Sequence, residues 1–312
     1  MTIEHAAIRV VDKPWGSRDL RPWSKLQDGA AIGELWFERS DPDASPSALL
    51  LKLLFTTAPL SIQVHPDDSF ARSVGLDHGK TEAWYVLSAE PGAKVAAGLA
   101  GRLTPPQLRA SIEDGSIEDL VQWRGVLKGD LVSIPAGTIH AIGAGLVLAE
   151  IQQRSDTTYR LFDYGRHRQL HVDSAVAVSD AGPAATQPIP VRLSGERTLL
   201  VANPYFALER VDLPPATAWE LDASGEAWLL AFEGGAPTGT TTMRIGEALF
   251  LEEDRVVLEV GPQGLSGLLA YAAPHAKPSL LLRAGDGISR VGGPSLPLGI
   301  HDPASAMPRG VL

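Results

Sequence analysis

The chain contains no cysteine in its 312 residues, so it can form neither a disulfide nor a thiolate metal site. Any metal it binds has to be held by nitrogen and oxygen ligands. Basic residues are also short, 27 against 37 acidic for a formal net charge of −10. That balance gives no general attraction to nucleic acid or to an anionic membrane surface, so a phosphate-bearing ligand has to be met by a local basic cluster. Long apolar runs are missing as well: the stretch 48–55 is broken by Lys52. The opening Met-Thr-Ile-Glu-His lacks the basic-then-apolar order of a secretory signal. The expectation is a cytoplasmic protein with neither a nucleic-acid nor a membrane partner.

What is present is a hydrophobic fraction of 44% with 31 glycines and 24 prolines, the composition of a turn-rich, mainly β globular protein. The length accommodates two domains of ordinary size. Short apolar segments at 48–55, 60–64, 83–87, 95–98, 131–134 and 146–152, separated by Gly, Pro and Asp, read as strands of a sandwich or barrel. A helical insertion near 104–120 interrupts them, with Thr104 as cap, Pro105 at its first position and Gln107 three residues on. A shorter helix is expected from Asp67 or Asp68, carrying Phe70 inward, and another over 172–178 capped at Asp173. The small, Pro-rich stretch 179–191 reads as a linker, which divides the chain into 1–185 and 186–312. Beyond it, 227–232, 247–251 and 255–260 again read as strands, and the tail from Val291 as an irregular surface segment. A purely structural β protein fits all of this equally well.

Chemistry enters with four residues. Gly129 and Asp130 turn the chain, 131–134 form a strand, and Pro135 to Gly137 bend it so that His140 points inward. Gln63 and His65 stand two apart on a predicted strand and share a face, as do Lys80 and Glu82. Gln63, His65, Glu82 and His140 together make a two-nitrogen, two-oxygen set suited to zinc or a similar divalent ion with open positions. Singly, each has a plain alternative: a core histidine, an edge-strand glutamine, a solvated Lys80–Glu82 pair.

The segment from Gly129 to His140, with its Gly, Pro-x-Gly and His, resembles the second cupin motif. With Lys13-Pro-Trp-Gly16, Gly33-Glu-Leu-Trp36, Leu51-Lys52-Leu53-Leu54, Gln63-Val-His65-Pro66, Lys80-Thr-Glu82 and Ser155-Asp156-Thr-Thr-Tyr159-Arg160-Leu-Phe-Asp163-Tyr164, the chain resembles the short bacterial form of type I mannose-6-phosphate isomerases. The likeness runs over roughly residues 13–175, and the final Asn of the cupin motif is replaced by Gly143 and Ala144. The resemblance implies two cupin-like jelly-roll β-barrels, the first metal-binding and catalytic, the second without metal ligands. It implies one Zn2+ per chain on Gln63, His65, Glu82 and His140, and a small-molecule sugar phosphate as substrate. Arg160 would be the active-site arginine, with Lys80 and Asp156 as further polar participants. Arg160 beside the metal would stabilise charge on the reacting oxygens, while Lys80, its pKa lowered by the metal, or Asp156 would carry a proton. Arg166 and Arg168 add positive charge in a loop and are either a solvated run or a phosphate contact. Three other readings are an isomerase of another sugar or sugar phosphate, a non-catalytic sugar-binding protein, and an iron dioxygenase on the same barrel, the last disfavoured by Gln63 in place of a histidine.

Overall fold

The computed structural model describes residues 2–26, 29–238 and 241–285; the expected surface tail from Val291 lies outside them. The chain is mainly β, and its strands stack as layers. A six-stranded sheet runs, in spatial order, through Ala7–Ser17, Ile32–Glu38, Leu49–Thr56, Leu146–Gln153, Glu82–Ala89 and Leu131–Ile134. A five-stranded sheet contains Tyr159–Phe162, Ile62–Val64, His140–Ile142, Lys94–Leu99 and Val121–Gly125. The second half supplies six strands of a seven-stranded sheet, centred on Ala227–Gly234 and Leu265–Tyr271, and all of a three-stranded one.

The packing clusters order these layers. Trp84, Val86 and Leu148 of the six-stranded sheet meet Val95, Ala97 and Ile142 of the five-stranded sheet. On its other face Leu35, Leu51, Leu53 and Tyr85 pack against Trp228, Leu230 and Phe250 of the seven-stranded sheet and against Phe206 just before one of its strands. That sheet is covered in turn by Trp219, Leu221 and Leu258 of the three-stranded sheet. Helices Pro105–Glu113 and Val172–Val178 close the opposite end, laying Leu108, Ile112 and Ala175 on Ile62, Val64 and Leu161. A sheet buried on both faces needs apolar side chains on both, which is why Leu49–Thr56 is buried at all 8 positions and reads almost as a run of leucines.

Strands occupy each of the six segments expected between residues 48 and 152. Thr104 caps the helix Pro105–Glu113 as expected, with the Gln107 carboxamide oxygen 2.9 Å from the Thr104 N–H. Three local expectations are corrected. Asp67 caps Asp68–Ser73, but Phe70 stays half-buried with its ring edge against Tyr159. The cap of Val172–Val178 is His171, and Asp173 falls in its first turn. Residues 179–191 are not a free tether: Asp180 N–H donates to Gly137 O (2.8 Å), and Leu99 N–H to Gly182 O (2.9 Å). Gly98 permits this docking, since at φ +73° a Cβ there would lie 2.1 Å from Ala184 N. Several strands escaped the sequence reading, among them Ile32–Glu38, Val121–Gly125 and Tyr159–Phe162 and two near the start of the chain. Ala7–Ser17 edges the six-stranded sheet, and Thr2–His5 pairs with Ala248–Glu252 in the second half. Among the described residues no helix is long and apolar enough to cross a membrane.

Candidate active site

The site lies between the six- and five-stranded sheets. In the five-stranded sheet Gln63 pairs with His140 on one side and with Arg160 on the other, so these three residues form one row. Glu82 comes from the facing sheet, two residues before Trp84 and therefore on the same inward face. His65 follows the short strand Ile62–Val64, and its carbonyl accepts a 2.9 Å bond from Gly137 N–H. Gly137 adopts φ +86°, so the Pro-x-Gly bend that aims His140 also anchors His65.

His65, Glu82 and His140 are all buried, and one ligand atom from each lies within 4.8 Å of the others. His65 Nδ1 is 2.9 Å from Thr157 O, and His140 Nδ1 is 2.8 Å from Thr138 O. A carbonyl can only accept, so both Nδ1 atoms carry the proton and both Nε2 atoms present a lone pair. Each Nε2 faces a different oxygen of Glu82 at 3.4 Å, a contact with no proton to share. His65 Nε2 and Glu82 Oε1 accordingly have no hydrogen-bond partner although buried, and Glu82 Oε2 is met by Lys80 Nζ, at 3.1 Å. Unpartnered buried acceptors converging on one point carry a large desolvation cost, and a divalent cation removes it.

The protonation states agree with that assignment. Burial, with Lys80 adding to it, brings His65 down to about 3, and burial also lowers His140 against the pull of Glu82. Both are neutral near pH 7, as metal-binding imidazoles must be. Burial alone would raise the Glu82 carboxyl, but the Lys80 ammonium beside it holds it well below its ordinary value. Gln63 turns its Nε2 toward His140 Nε2 at 3.3 Å while its Oε1 accepts from Ser61 Oγ at 3.0 Å. Half a turn of the carboxamide presents Oε1 to the same point, and the Ser61 hydroxyl then accepts from Nε2.

Lys80 is buried with Nζ 3.1 Å from Glu82 Oε2, so the pair is not a solvated surface pair. Burial pulls the Lys80 ammonium down, but Glu82, Glu150 and Asp156 raise it above the ordinary lysine value. Lys80 lines a cavity of about 190 Å³ together with Gln63, Asp156 and Arg160. Arg160 donates from its guanidinium to a backbone carbonyl, that of Gln169 at 3.5 Å, and has no carboxylate within ion-pair distance among the described residues.

Sequence reasoning missed a row of charge beside this cavity. Trp36, Lys52, Glu150 and Trp84 stand opposite one another across adjacent strands. Lys52 Nζ lies 3.3 Å from Glu150 and 3.8 Å from Glu34, with the Trp36 ring 4.3 Å away. Burial raises the Glu150 carboxyl and Glu82 raises it further, against Lys52 and Lys80. Lys13, Arg168 and His171 also line the cavity. The available signal was a charge in the middle of an otherwise apolar strand, at Lys52 and at Glu150.

No family model matches the chain. A curated mannose-6-phosphate isomerase of Streptococcus mutans serotype c is 38% identical over 192 residues, 58% of this chain and 60% of that protein. The matched stretch therefore spans less than two thirds of that relative's length. The solved mannose 6-phosphate isomerase of Bacillus subtilis superposes with a TM-score of 0.75 at 22% identity, covering 87% of this chain and all 100% of that one. A zinc-bound mannose 6-phosphate isomerase structure gives a TM-score of 0.67 at 15% identity over 88% of this chain and 100% of the other. The chain thus has the cupin-like fold of phosphomannose isomerases and, over more than half its length, a sequence similar to a curated mannose-6-phosphate isomerase.

Proposed function

We propose that the chain is a metal-dependent aldose–ketose isomerase that interconverts D-mannose 6-phosphate and D-fructose 6-phosphate. The observation that carries the reading is the buried convergence of ligand atoms of His65, Glu82 and His140, with His65 Nε2 and Glu82 Oε1 left unpartnered, beside a pocket of mixed charge. Gln63, His65, Glu82 and His140 would hold one zinc ion, as the donor chemistry suits. Once bound, the ion supplies a Lewis acid for oxygen atoms next to the reacting carbons.

The remaining work falls to side chains. Isomerisation takes the proton from C2 of the open-chain aldose, moves the C2–H electron pair into a C1–C2 double bond and leaves negative charge on the C1 oxygen. Returning a proton to C1 while the C2 hydroxyl proton passes to the C1 oxygen and the C2 carbonyl forms gives the ketose. Arg160, beside Gln63 in the sheet, supplies a positive charge that cannot itself lose a proton while that oxygen charge develops. Glu150, buried among Lys52 and the Trp84 indole N–H at 3.0 Å, is placed to take and return the carbon-bound proton. Lys80 and Asp156 serve ring opening and proton exchange with the sugar hydroxyls. The same reading places the protein in the cytoplasm and assigns this chemistry to residues 1–185, with 186–312 as a second unit that carries no metal ligands.

A coupled assay following fructose 6-phosphate from mannose 6-phosphate, before and after chelation and zinc restoration, tests this. Turnover that is lost to chelator and restored by zinc supports it; no turnover with zinc bound refutes it.

A further inference from the structure

Resting on the sugar-phosphate reading and deepening it, we infer that Arg168 and His171 form the phosphate-binding corner of the pocket, with Asp163 as the residue that positions Arg168. The whole chain is acidic, yet the cavity is lined by Lys13, Lys52, Lys80, Arg160 and Arg168 against Glu34, Glu150 and Asp156. Those lysines are already engaged: Lys13 with Glu34 at 3.0 Å, Lys52 with Glu150 at 3.3 Å and Lys80 with Glu82 at 3.1 Å. Positive charge available to an anion is left at the arginine corner.

Arg168 is built for that task. Its Nε donates to Asp163 Oδ2 at 2.8 Å and its Nη2 to Asp163 Oδ1, while no protein acceptor for Nη1 is recorded among the described residues. Asp163 is itself buried and also receives Arg166 Nε at 3.2 Å. Arg166 is spent elsewhere, donating from Nη1 to Pro59 O at 2.7 Å. One edge of the Arg168 fork is thereby fixed by a carboxylate while Arg168 lines the cavity, an arrangement that orients a guanidinium for an oxyanion. The loop that delivers it is held in a costly conformation, with Tyr164 at φ 51° and His167 at φ 59°, both left-handed and neither glycine.

His171 adds a donor whose direction is set by the backbone. Its Nδ1 accepts the Arg160 N–H at 3.1 Å, so the proton resides on Nε2. Its own N–H donates to Arg160 O at 2.9 Å, closing a two-bond lock between His171 and the strand that carries Arg160. The ring therefore offers an N–H toward the cavity it lines. Arg160 stands two strands from His140 in the sheet row, so this corner is offset from the metal cluster and suits the end of a sugar phosphate remote from its carbonyl.

Calorimetric titration of the zinc-loaded chain with inorganic phosphate tests this directly. Wild type is expected to bind, Arg168→Ala to bind about tenfold or more weakly, and Arg168→Lys to fall between them. His171→Asn keeps an acceptor for the Arg160 amide but removes the Nε2 donor, and is expected to weaken phosphate by about threefold to tenfold. Equal phosphate affinity in wild type, Arg168→Ala and His171→Asn, or no binding to wild type, overturns the inference. The KM for mannose 6-phosphate separates it from the isomerase reading. Turnover with an unchanged KM in Arg168→Ala refutes the corner alone, whereas Arg168-dependent phosphate binding without turnover refutes the isomerase reading and leaves the corner standing.

Discussion

Removal of the Glu226 carboxylate should loosen the contact between the two halves of the chain. Glu226 is 9% exposed at the start of Ala227–Gly234, and it accepts from Leu49 N–H at 2.8 Å, from the Trp228 indole at 2.9 Å and from Ala48 N–H. Glu226→Ala leaves three donors without a partner at the seam between the six- and seven-stranded sheets. An unsatisfied buried donor costs roughly 1–3 kcal/mol, so with partial rescue by water the loss should be about 4 kcal/mol. At roughly 2–4 °C per kcal/mol in a chain of this size, Tm should fall by about 8–16 °C. Adding Trp228→Phe removes the stranded indole N–H, so the double variant should lose less than the sum of the two single changes. Scanning calorimetry and urea unfolding both read this. A loss under about 1 kcal/mol in Glu226→Ala would refute the reasoning.

Other consequences are measurable in the same preparations. Glu150→Gln should lower kcat by about 10²–10⁴-fold with a much smaller change in KM, as expected for a group that moves a proton in the transition state; kcat within threefold of wild type would remove Glu150 from the proton transfer. Burial would raise Glu34, but Lys52, Lys13 and the Trp36 indole hold it below 4.5. A lowered native pKa means that this contribution is complete above 4.5 and lost as pH falls through the native value, so urea stability should drop below about pH 4.5 less steeply in Glu34→Gln than in wild type. Gly98→Ala should destabilise by about 2 kcal/mol or more, because a Cβ at 2.1 Å from Ala184 N pushes residues 180–184 off the strand. Increased proteolysis after residue 179 would show the displacement, and unchanged stability would contradict it.

The strands of the first half were legible because both faces of the six-stranded sheet are buried, which leaves unbroken apolar runs such as Leu49–Thr56. The same double burial hid Lys52 and Glu150: a single charge in such a run reads as an interruption until the register sets the two opposite each other. Ala7–Ser17 was missed because it is an edge strand, exposed at its first four positions, and offers neither a clean alternation nor an apolar run. Gln63, His65, Glu82 and His140 could be proposed from spacing because period-two strands and one Pro-x-Gly bend determine where they point. The Nδ1 bonds to Thr138 and Thr157 that orient the imidazoles depend on loop carbonyls, which no spacing rule identifies. Residues 179–191 looked like a linker by composition. Their small side chains instead let the backbone lie close against Gly98 and Gly137.

The central claim is that the buried His65–Glu82–His140 cluster holds the ion on which turnover depends. Elemental analysis of purified wild type and Glu82→Gln, with turnover of mannose 6-phosphate measured on the same samples, tests it most directly. The account predicts about one zinc per chain and chelator-sensitive activity in wild type, with neither metal nor turnover in a folded Glu82→Gln protein. Wild-type turnover that persists after the metal has been removed would contradict it.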